Sequence, residues 1–383
     1  VNRGRSGADL PALRSHNAAL VLGLLRTATA GDGRGISRLE LAERTGLTPQ
    51  AVSKITARLR ADGLVDEAGR GAPTGGKPRT LLRLARRARF AAGVHLDRDE
   101  LTVVLTDLAG GVVDARTVPL DPGRPAGEVL EVVAGLVRTA VGATPGAEGA
   151  VLGAGLACPG PLDHATGVLH RVTGLPQWDG YPLRDALAER LGLPVVLDKD
   201  TNAAALGVLP PRAAGEATAG GTGAGPDAGD SFGYLHLGTG LGAGLVLDGT
   251  LHRGARTGAG EFGHQAVALD GPLCACGNRG CLEALCLAAV ARGEPAEAAR
   301  LLGMGAANLV SLLDIDRVVL GGRTVLADPG LFVREVAAAM DPRTMRAAGR
   351  TVPVSVAPAG RRAVAEGAAL LALAPLFGQT AVG

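Results

Sequence analysis

The stretch GHQAVALDGPLCACGNRGC, Gly263 to Cys281, holds three of the chain's five cysteines and one of its seven histidines. His264, Cys274, Cys276 and Cys281 follow the spacing H-x9-C-x-C-x4-C, which offers one imidazole and three thiolates to a single ion. Such a set suits a closed tetrahedral site, and four protein ligands leave no position open for water, so the expected metal is one structural Zn2+ per chain. Gly277 and Gly280 allow the chain to fold back around it. The N-terminal VNRGRSGADLPALRSHN has no apolar core of signal-peptide length, and no run of 18 apolar residues follows, which points to a cytoplasmic protein with no membrane partner. In a reducing compartment clustered cysteines ligate metal rather than pair.

With 383 residues, 46% of them hydrophobic, the chain has material for two or three domains. Its 59 glycines and 23 prolines are interleaved with runs of Val, Leu and Ala, which excludes a wholly disordered chain. One exception, Pro210 to Ser231, has the composition of a flexible excursion. The small net charge of +2 conceals a division: residues 1–90 carry 17 Lys/Arg against 7 Asp/Glu, and the remainder 22 against 30. A basic module facing a polyanion, joined to an acidic module with another task, fits that split.

Within the basic part, Ile36 to Val65 reads as two helices and a tight turn. Ser37 and Glu40 form a capping-box pattern, Leu39 and Leu41 are apolar positions of the first helix, and Gly46 ends it. Thr48 is an N-cap, Pro49 suits the first helical position, Gly63 the stop, and Val52, Ile55 and Leu59 share one stripe. The opposite face offers Gln50, Ser53, Lys54 and Arg58. Gln50 near the helix start can pair with an adenine edge, while Ser53, Lys54 and Arg58 can hold phosphates. Leu64 to Leu84 alternates like a short hairpin whose tip carries Arg70, Lys77 and Arg79, a wing for a phosphate or a minor groove. Thr48, Gln50, Ser53, Lys54, Arg58, Lys77 and Arg79 are therefore the expected DNA contacts of a winged helix-turn-helix.

From Phe90 the pattern changes. AAGVHLDRDELTVVLTDLAGGVVDARTVPL reads as two adjacent strands with a glycine turn at Gly110 and Gly111. Val151 to Asp163 is a buried strand ending in a Pro-Gly loop, and Leu193 to Gly207 is a strand with Asp198, Asp200 and Asn202 at its exit before a helix. Tyr234 to Leu251 is a glycine-rich hairpin, and Asp316 to Gly322 one more strand. Strands alternating with helices, with polar residues at strand exits, imply an α/β architecture with a ligand crevice there.

GAGEFGH, Gly258 to His264, followed by CACGNRGCLE, Cys274 to Glu283, resembles the signature of the ROK family of bacterial sugar kinases and sugar-responsive repressors. RSHN at Arg14 to Asn17 and the winged helix resemble its repressor branch. The resemblance covers nearly the whole chain. It implies a two-lobed hexokinase/actin-type (ribonuclease H-like) α/β body preceded by an α+β winged helix-turn-helix. The expected divisions are a DNA-binding domain at 1–86 and a sugar-binding body at 87–383. Within the body, a smaller lobe at about 87–196 plus the C-terminal helix faces a larger lobe at about 197–360 that contains the zinc site. By position, Asp200 matches the kinases' base toward the sugar hydroxyl, Glu261, His264 and Glu283 match residues that hydrogen-bond sugar hydroxyls, and Pro159-Gly160 matches a loop beneath the sugar. With Lys199 and Asn202 beside Asp200, these form the expected ligand-binding set. His264 would have one ring nitrogen on zinc and the other toward the sugar.

The chain departs from the kinases in three ways. They carry Asp-x-Gly-Gly-Thr after the first strand, whereas Asp97, Arg98, Asp99, Glu100 and Leu101 stand here, with carboxylates where ATP phosphates approach the backbone. Lys199 replaces the family's asparagine; it either favours an acidic or phosphorylated sugar or is a solvated lysine paired with Asp198. The segment Glu283 to Gly303 is shorter than the family's, which implies trimmed helices on one side of the cleft. The expectation is a regulator rather than an enzyme, most simply a repressor, that binds an inverted-repeat DNA operator as a homodimer or homotetramer and senses a sugar or sugar derivative. The alternative is an ATP-dependent, glucokinase-like sugar kinase with an appended DNA-binding domain, favoured by Asp200, GTGLGAG and LGG. A third reading has the body answer to a protein partner.

Overall fold

The computed structural model describes residues 16–30, 33–71, 79–121, 123–170, 178–210, 231–344 and 351–378. Arg14, Lys77 and nearly all of the Pro210–Ser231 stretch lie outside the described residues. The first elements are α1 (His16–Ala30), β1 (Ile36–Ser37), α2 (Arg38–Thr45), α3 (Pro49–Ala61), β2 (Val65–Arg70) and β3 (Thr80–Leu84). Ser37 Oγ accepts from Glu40 N at 3.2 Å and Glu40 Oε2 accepts from Ser37 N at 2.9 Å, which satisfies two otherwise unpaired donors at the start of α2. Gly46 ends α2 in the left-handed region, and Thr48 Oγ1 then caps α3 by accepting from Ala51 N. Val52, Thr56 and Leu59 are buried, but Leu39 is 38% exposed, so α2 turns only Leu41 and Ala42 inward. Strands β2 and β3 form an antiparallel hairpin with a bulge between Glu67 and Gly69, and β1 pairs with the other side of β3.

This module does not close its own core. Val21, Leu22 and Leu25 of α1 pack in one cluster with Leu84, with Ala91, Val104 and Leu108 of the next sheet, and with Leu376 and Phe377 near the C-terminus. Arg26 is buried there, donates to Ala109 O at 3.3 Å and lies over the Phe377 ring at 4.7 Å. Burial, against the attraction of Asp107, lowers its pKa to about 10.

The next strands are β4 (Phe90–Leu96), β5 (Glu100–Asp107) and β6 (Val112–Pro119), three where two are expected. The additional reversal at Asp97–Asp99 has no glycine or proline to announce it. Side-chain and backbone bonds hold it instead: Asp97 Oδ1 accepts from Arg98 N at 2.7 Å, and Asp97 N donates to Glu100 O at 2.9 Å. The chain continues through α4 (Ala126–Ala143), β7 (Val151–Cys158), the short pair β8 (Leu162–Asp163) and β9 (Val168–Leu169), α5 (Leu183–Leu191), β10 (Val195–Lys199) and α6 (Asp200–Val208). Strand order in this first sheet is β10-β7-β4-β5-β6, with β4, β7 and β10 parallel. Because helices cover both faces of β4 and β7, their sequences are nearly unbroken apolar runs.

A second sheet follows from β11 (Phe232–Leu237), β12 (Leu241–Leu247) and β13 (Thr250–His252). After α7 (Leu282–Ala291) and α8 (Pro295–Leu313), β14 (Arg317–Gly321), α9 (Arg323–Ala327), α10 (Pro329–Met340) and β15 (Val354–Val356) complete it, in the order β13-β12-β11-β14-β15. The last helix, α11 (Ala363–Leu373), returns to pack on α6 and on the first sheet. Its contact with α6 is close enough that a Cβ on Gly367 would overlap the Ala203 carbonyl. Since β10 runs to Lys199 within the first sheet, the chain leaves that sheet a few residues later than 196, at the start of α6, whose first residue is Asp200. Among the described residues no helix is long and apolar enough to cross a membrane.

Candidate functional site

Strand ends of both sheets converge on a cavity of about 500 Å3. The first sheet supplies Asp97 and Arg98 from the β4–β5 turn, Pro159 and Gly160 after β7, and Lys199 and Asp200 where β10 becomes α6. The second supplies the 239–242 turn, Glu261, His264 and Glu283. Seven of the eight ligand-binding residues expected from sequence therefore line one cavity. The exception is Asn202: it is fully buried inside α6, where Nδ2 donates to Asp198 Oδ1 at 2.8 Å, so it supports the site from behind.

Of the two alternatives for Lys199, a solvated lysine paired with Asp198 is not what the structure shows. Lys199 is buried, and its Nζ donates to Glu261 Oε1 at 2.7 Å and to Ala259 O at 2.9 Å. Its aliphatic stem lies over Gly160. Asp198 has other partners: Arg253 Nε donates to Oδ2 at 2.8 Å, while Lys199 N and Asn202 Nδ2 both donate to Oδ1 at 2.8 Å. The Asp198 and Arg253 side chains are 1% and 7% exposed, so this ion pair is desolvated, and the two further donors to Asp198 Oδ1 offset part of that cost. It ties β10 to the loop after β13, and Lys199 ties β10 to the same loop further on. Thr257, buried in that loop, bonds to His164 Nδ1 at 3.0 Å. The loop from Arg253 to Glu261 is thus held at three points against the first lobe.

Asp200 stands at the N-terminus of α6, where the helix dipole favours a carboxylate, and Oδ1 accepts from Thr201 N at 2.6 Å. Glu283, in the first turn of α7, accepts from Leu241 N at 2.8 Å, which joins the helix to the glycine-rich hairpin. Burial opposes ionisation of Asp97, but the adjacent His95 and hydrogen bonds from Arg98 N, Arg323 and Thr239 hold its carboxyl down at about 2.

His264, Cys274, Cys276 and Cys281 bring their ligand atoms within 4.8 Å of one another. Cys276 Sγ and Cys281 Sγ are 3.7 Å apart, as are Cys274 Sγ and His264 Nδ1. An edge of a tetrahedron built on metal–sulfur bonds of about 2.3 Å measures about 3.8 Å, so the donor set fits an ion of that size. The loop closes because Cys274 N donates to Asn278 O, Gly277 turns at φ 94°, and Gly280, at φ 66°, passes so near Ala268 O that no side chain fits. With Nδ1 toward the thiols, His264 turns Nε2 toward Glu261, 4.0 Å from Oε2. The loop that carries these four donors is therefore also cavity wall, where Cys276 is a lining residue. Burial raises the Cys274 thiol and pushes Cys281 up to about 12, so a cation must displace protons to bind here.

The outward face of α3 presents Gln50, Ser53, Lys54 and Arg58, all exposed, with Thr48 at its start and Arg79 exposed at the base of the wing. Lys77 lies outside the described residues. Sequence reasoning missed Arg253, Arg323, Arg98 as a cavity residue, Arg256 and His236. The neighbouring glycines marked the 239–242 turn, but nothing local marks an arginine whose partner is tens or hundreds of residues away.

A model described as the ROK family matches residues 91–292, and one described as winged helix-turn-helix DNA-binding matches residues 22–66. The chain is 32% identical over 260 residues to the xylose repressor of Caldicellulosiruptor bescii, covering 68% of this chain and 62% of that protein. It is 29% identical over 250 residues to the DNA-binding transcriptional dual regulator NagC of Escherichia coli, covering 65% and 58%. The matched part is about three fifths of the length of these relatives. Among solved structures, a ROK family transcriptional regulator, a homologue of the E. coli MLC protein, shares the fold with a TM-score of 0.73 at 21% identity over 95% of this chain and 98% of that one. A ROK family glucokinase from Streptomyces griseus aligns with a TM-score of 0.61 at 25% identity over 74% of this chain and 98% of that one.

Proposed function

The chain belongs to the ROK family, and from that premise we propose that it is a DNA-binding transcriptional regulator, most simply a repressor, whose body senses a sugar or sugar derivative. One observation carries this reading: an exposed polar recognition helix shares a continuous apolar core with a body whose two lobes enclose a polar cavity. The relatives' names make xylose and N-acetylglucosamine the first sugars to try. Pro159, Gly160, Lys199, Asp200, Glu261, His264 and Glu283 would contact the ligand, with Asn202 fixing Asp198 behind them. Thr48, Gln50, Ser53, Lys54, Arg58, Lys77 and Arg79 would contact DNA. One small recognition helix reads few base pairs, so a two-fold dimer, or a tetramer built from such dimers, on an inverted repeat is the proposed binding form.

One zinc ion per chain is proposed at His264, Cys274, Cys276 and Cys281. When bound, it contributes folding free energy and fixes a loop rather than activating water. His264 would then offer Nε2 to a sugar hydroxyl, its ring orientation set by the ligated Nδ1.

The kinase reading is favoured by Asp200, which by the family resemblance matches the kinases' base, and by the likeness to a glucokinase. Against it stands the β4–β5 turn. By the family resemblance Asp99, bonded to Arg323, and Glu100 stand where the kinases carry the two glycines that let nucleotide phosphates approach the backbone. A base cannot compensate for a nucleotide that is not positioned. Calorimetric titration of the full chain with a sugar panel, with and without ATP, separates the readings. Sugar binding indifferent to ATP fits the regulator, whereas turnover of order 1–100 per second on a common hexose would make it a kinase.

A further inference from the structure

Arg323 does not line the ligand cavity, yet it holds the turn that does. It is the first residue of α9, after β14 of the second sheet, and its guanidinium reaches across the cleft to the β4–β5 turn of the first. Nη2 donates to Asp97 Oδ2 at 2.8 Å, Nη1 donates to Asp99 Oδ2 at 2.6 Å, and Nη2 also meets Asp99 Oδ1. Two further bonds cross at the same place: Thr239 Oγ1 donates to Asp97 Oδ1 at 2.9 Å, and Arg98 Nη1 donates to Thr239 O at 2.8 Å. Arg98, between the two aspartates, is a cavity residue. The chain itself crosses between lobes after β10, an edge strand, and crosses back between β15 and α11; this network joins the lobes at the end of β4, two strands inward from β10.

We infer that Arg323 is a positioning residue of the ligand site: acting through Asp97 and Asp99, it latches the two lobes and aims Arg98 into the cavity without any nucleotide. The inference rests on the sensing function proposed above for its consequence, but the latch itself can be tested with no ligand present. The Asp97 side chain is 9% exposed, so its bond to Arg323 is poorly screened, whereas Asp99 at 49% and Arg323 at 35% leave the outer bonds open to salt. A latch of this kind sets the fraction of molecules already closed. A ligand that needs the closed form binds with an apparent affinity reduced by that fraction.

The experiment is hydrogen exchange by mass spectrometry on the full chain without ligand, at low and high KCl. Parent, Arg323→Gln, Arg323→Lys and Asp97→Asn are compared. In the parent, exchange in residues 195–208 and 253–264 should speed up severalfold as salt rises. Arg323→Gln and Asp97→Asn should exchange fast at both salt levels, and Arg323→Lys should fall between, since an ammonium cannot make the two-pronged contact. Helix α4, remote from the network, should be unchanged in all. Arg323→Gln exchanging like the parent at both salt levels would overturn the inference, as would equal acceleration throughout the chain, which would make Arg323 a general stabiliser. Either failure leaves sugar sensing untouched. Conversely, a chain that binds no sugar could still pass this test.

Discussion

Arg253→Met is the most informative single change to the framework of the site. The substitution keeps an unbranched stem, shorter than arginine's, and removes the charge, leaving Asp198 as a carboxylate with 1% side-chain exposure. Of its three donors, each at 2.8 Å, only the Lys199 N–H and the Asn202 amide would remain, and both are neutral. Breaking a buried pair from one side costs about 3–5 kcal/mol, chiefly because the surviving charge is uncompensated. At about 2 °C per kcal/mol for a body of this size, Tm should fall by about 6–10 °C. Asp198→Asn in the same molecule removes the stranded charge and should recover most of the loss. Scanning calorimetry on parent, single and double variants at equal protein concentration measures this directly. A single variant within about 2 °C of the parent, or a double variant as unstable as the single, would refute the claim that this pair clamps β10 to the loop carrying Glu261.

Three other outcomes follow from the same geometry. Purified parent protein should carry one zinc per chain by elemental analysis. Cys276→Ser should lose that zinc and melt at a lower temperature, and a parent free of zinc without exposure to chelators would remove the metal from the account. His95 is buried and burial holds its pKa below the usual 6.5, with Asp97 and Asp200 opposing that shift and His236 and Arg323 reinforcing it. The unfolded chain therefore takes up its proton first as the pH falls, so stability is intact above about 6.5 and declines below it; His95→Gln should flatten this slope in Tm measured from about pH 7.5 to 5.5. On DNA, Lys54→Ala and Arg79→Ala should each weaken binding to every sequence and reduce the log–log salt slope by about 1, while Gln50→Ala should relax preference at one base pair by about 1–3 kcal/mol.

Features encoded by residues close together in the chain are legible in the sequence alone. The boundaries of α2 and α3 follow from Ser37, Glu40, Gly46, Thr48 and Pro49, because caps and stops act within one turn of helix. The clustering of His264, Cys274, Cys276 and Cys281 is legible for the same reason, since 18 residues contain all of them. The Asp97–Asp99 reversal gives no such signal because side-chain bonds, not turn residues, make it. Sequence proximity offers Lys199 the adjacent Asp198 as one of two alternatives, but Asp198 is claimed by Arg253, 55 positions away, while Glu261 is 62 positions from Lys199. Asn202 reads as facing the ligand because it follows Asp200 at the helix start, but the second residue along a helix turns about 200° away, here into the interior. Periodicity carries no signal for any of these long-range pairs.

The central claim, that one chain couples a sugar cavity to a DNA-reading helix through separate residues, is tested most directly by operator binding of the parent and of Asp200→Asn. The measurement is fluorescence anisotropy of a labelled duplex, enriched from a random pool on the full chain, titrated with protein in the presence of xylose, N-acetylglucosamine, glucose and their phosphates. A ligand shifts this equilibrium only by its differential affinity for the two arrangements of the body. Asp200→Asn keeps the shape of the side chain and forfeits a charge-assisted hydrogen bond worth about 1.5–3 kcal/mol, or about ten- to a hundredfold in ligand affinity. The predicted result is that at least one sugar changes the parent's affinity for DNA, and that Asp200→Asn binds the duplex as the parent does but needs about ten- to a hundredfold more of that sugar to respond. A folded Asp200→Asn that no longer binds the duplex, or that responds at the parent's sugar concentration, would contradict it.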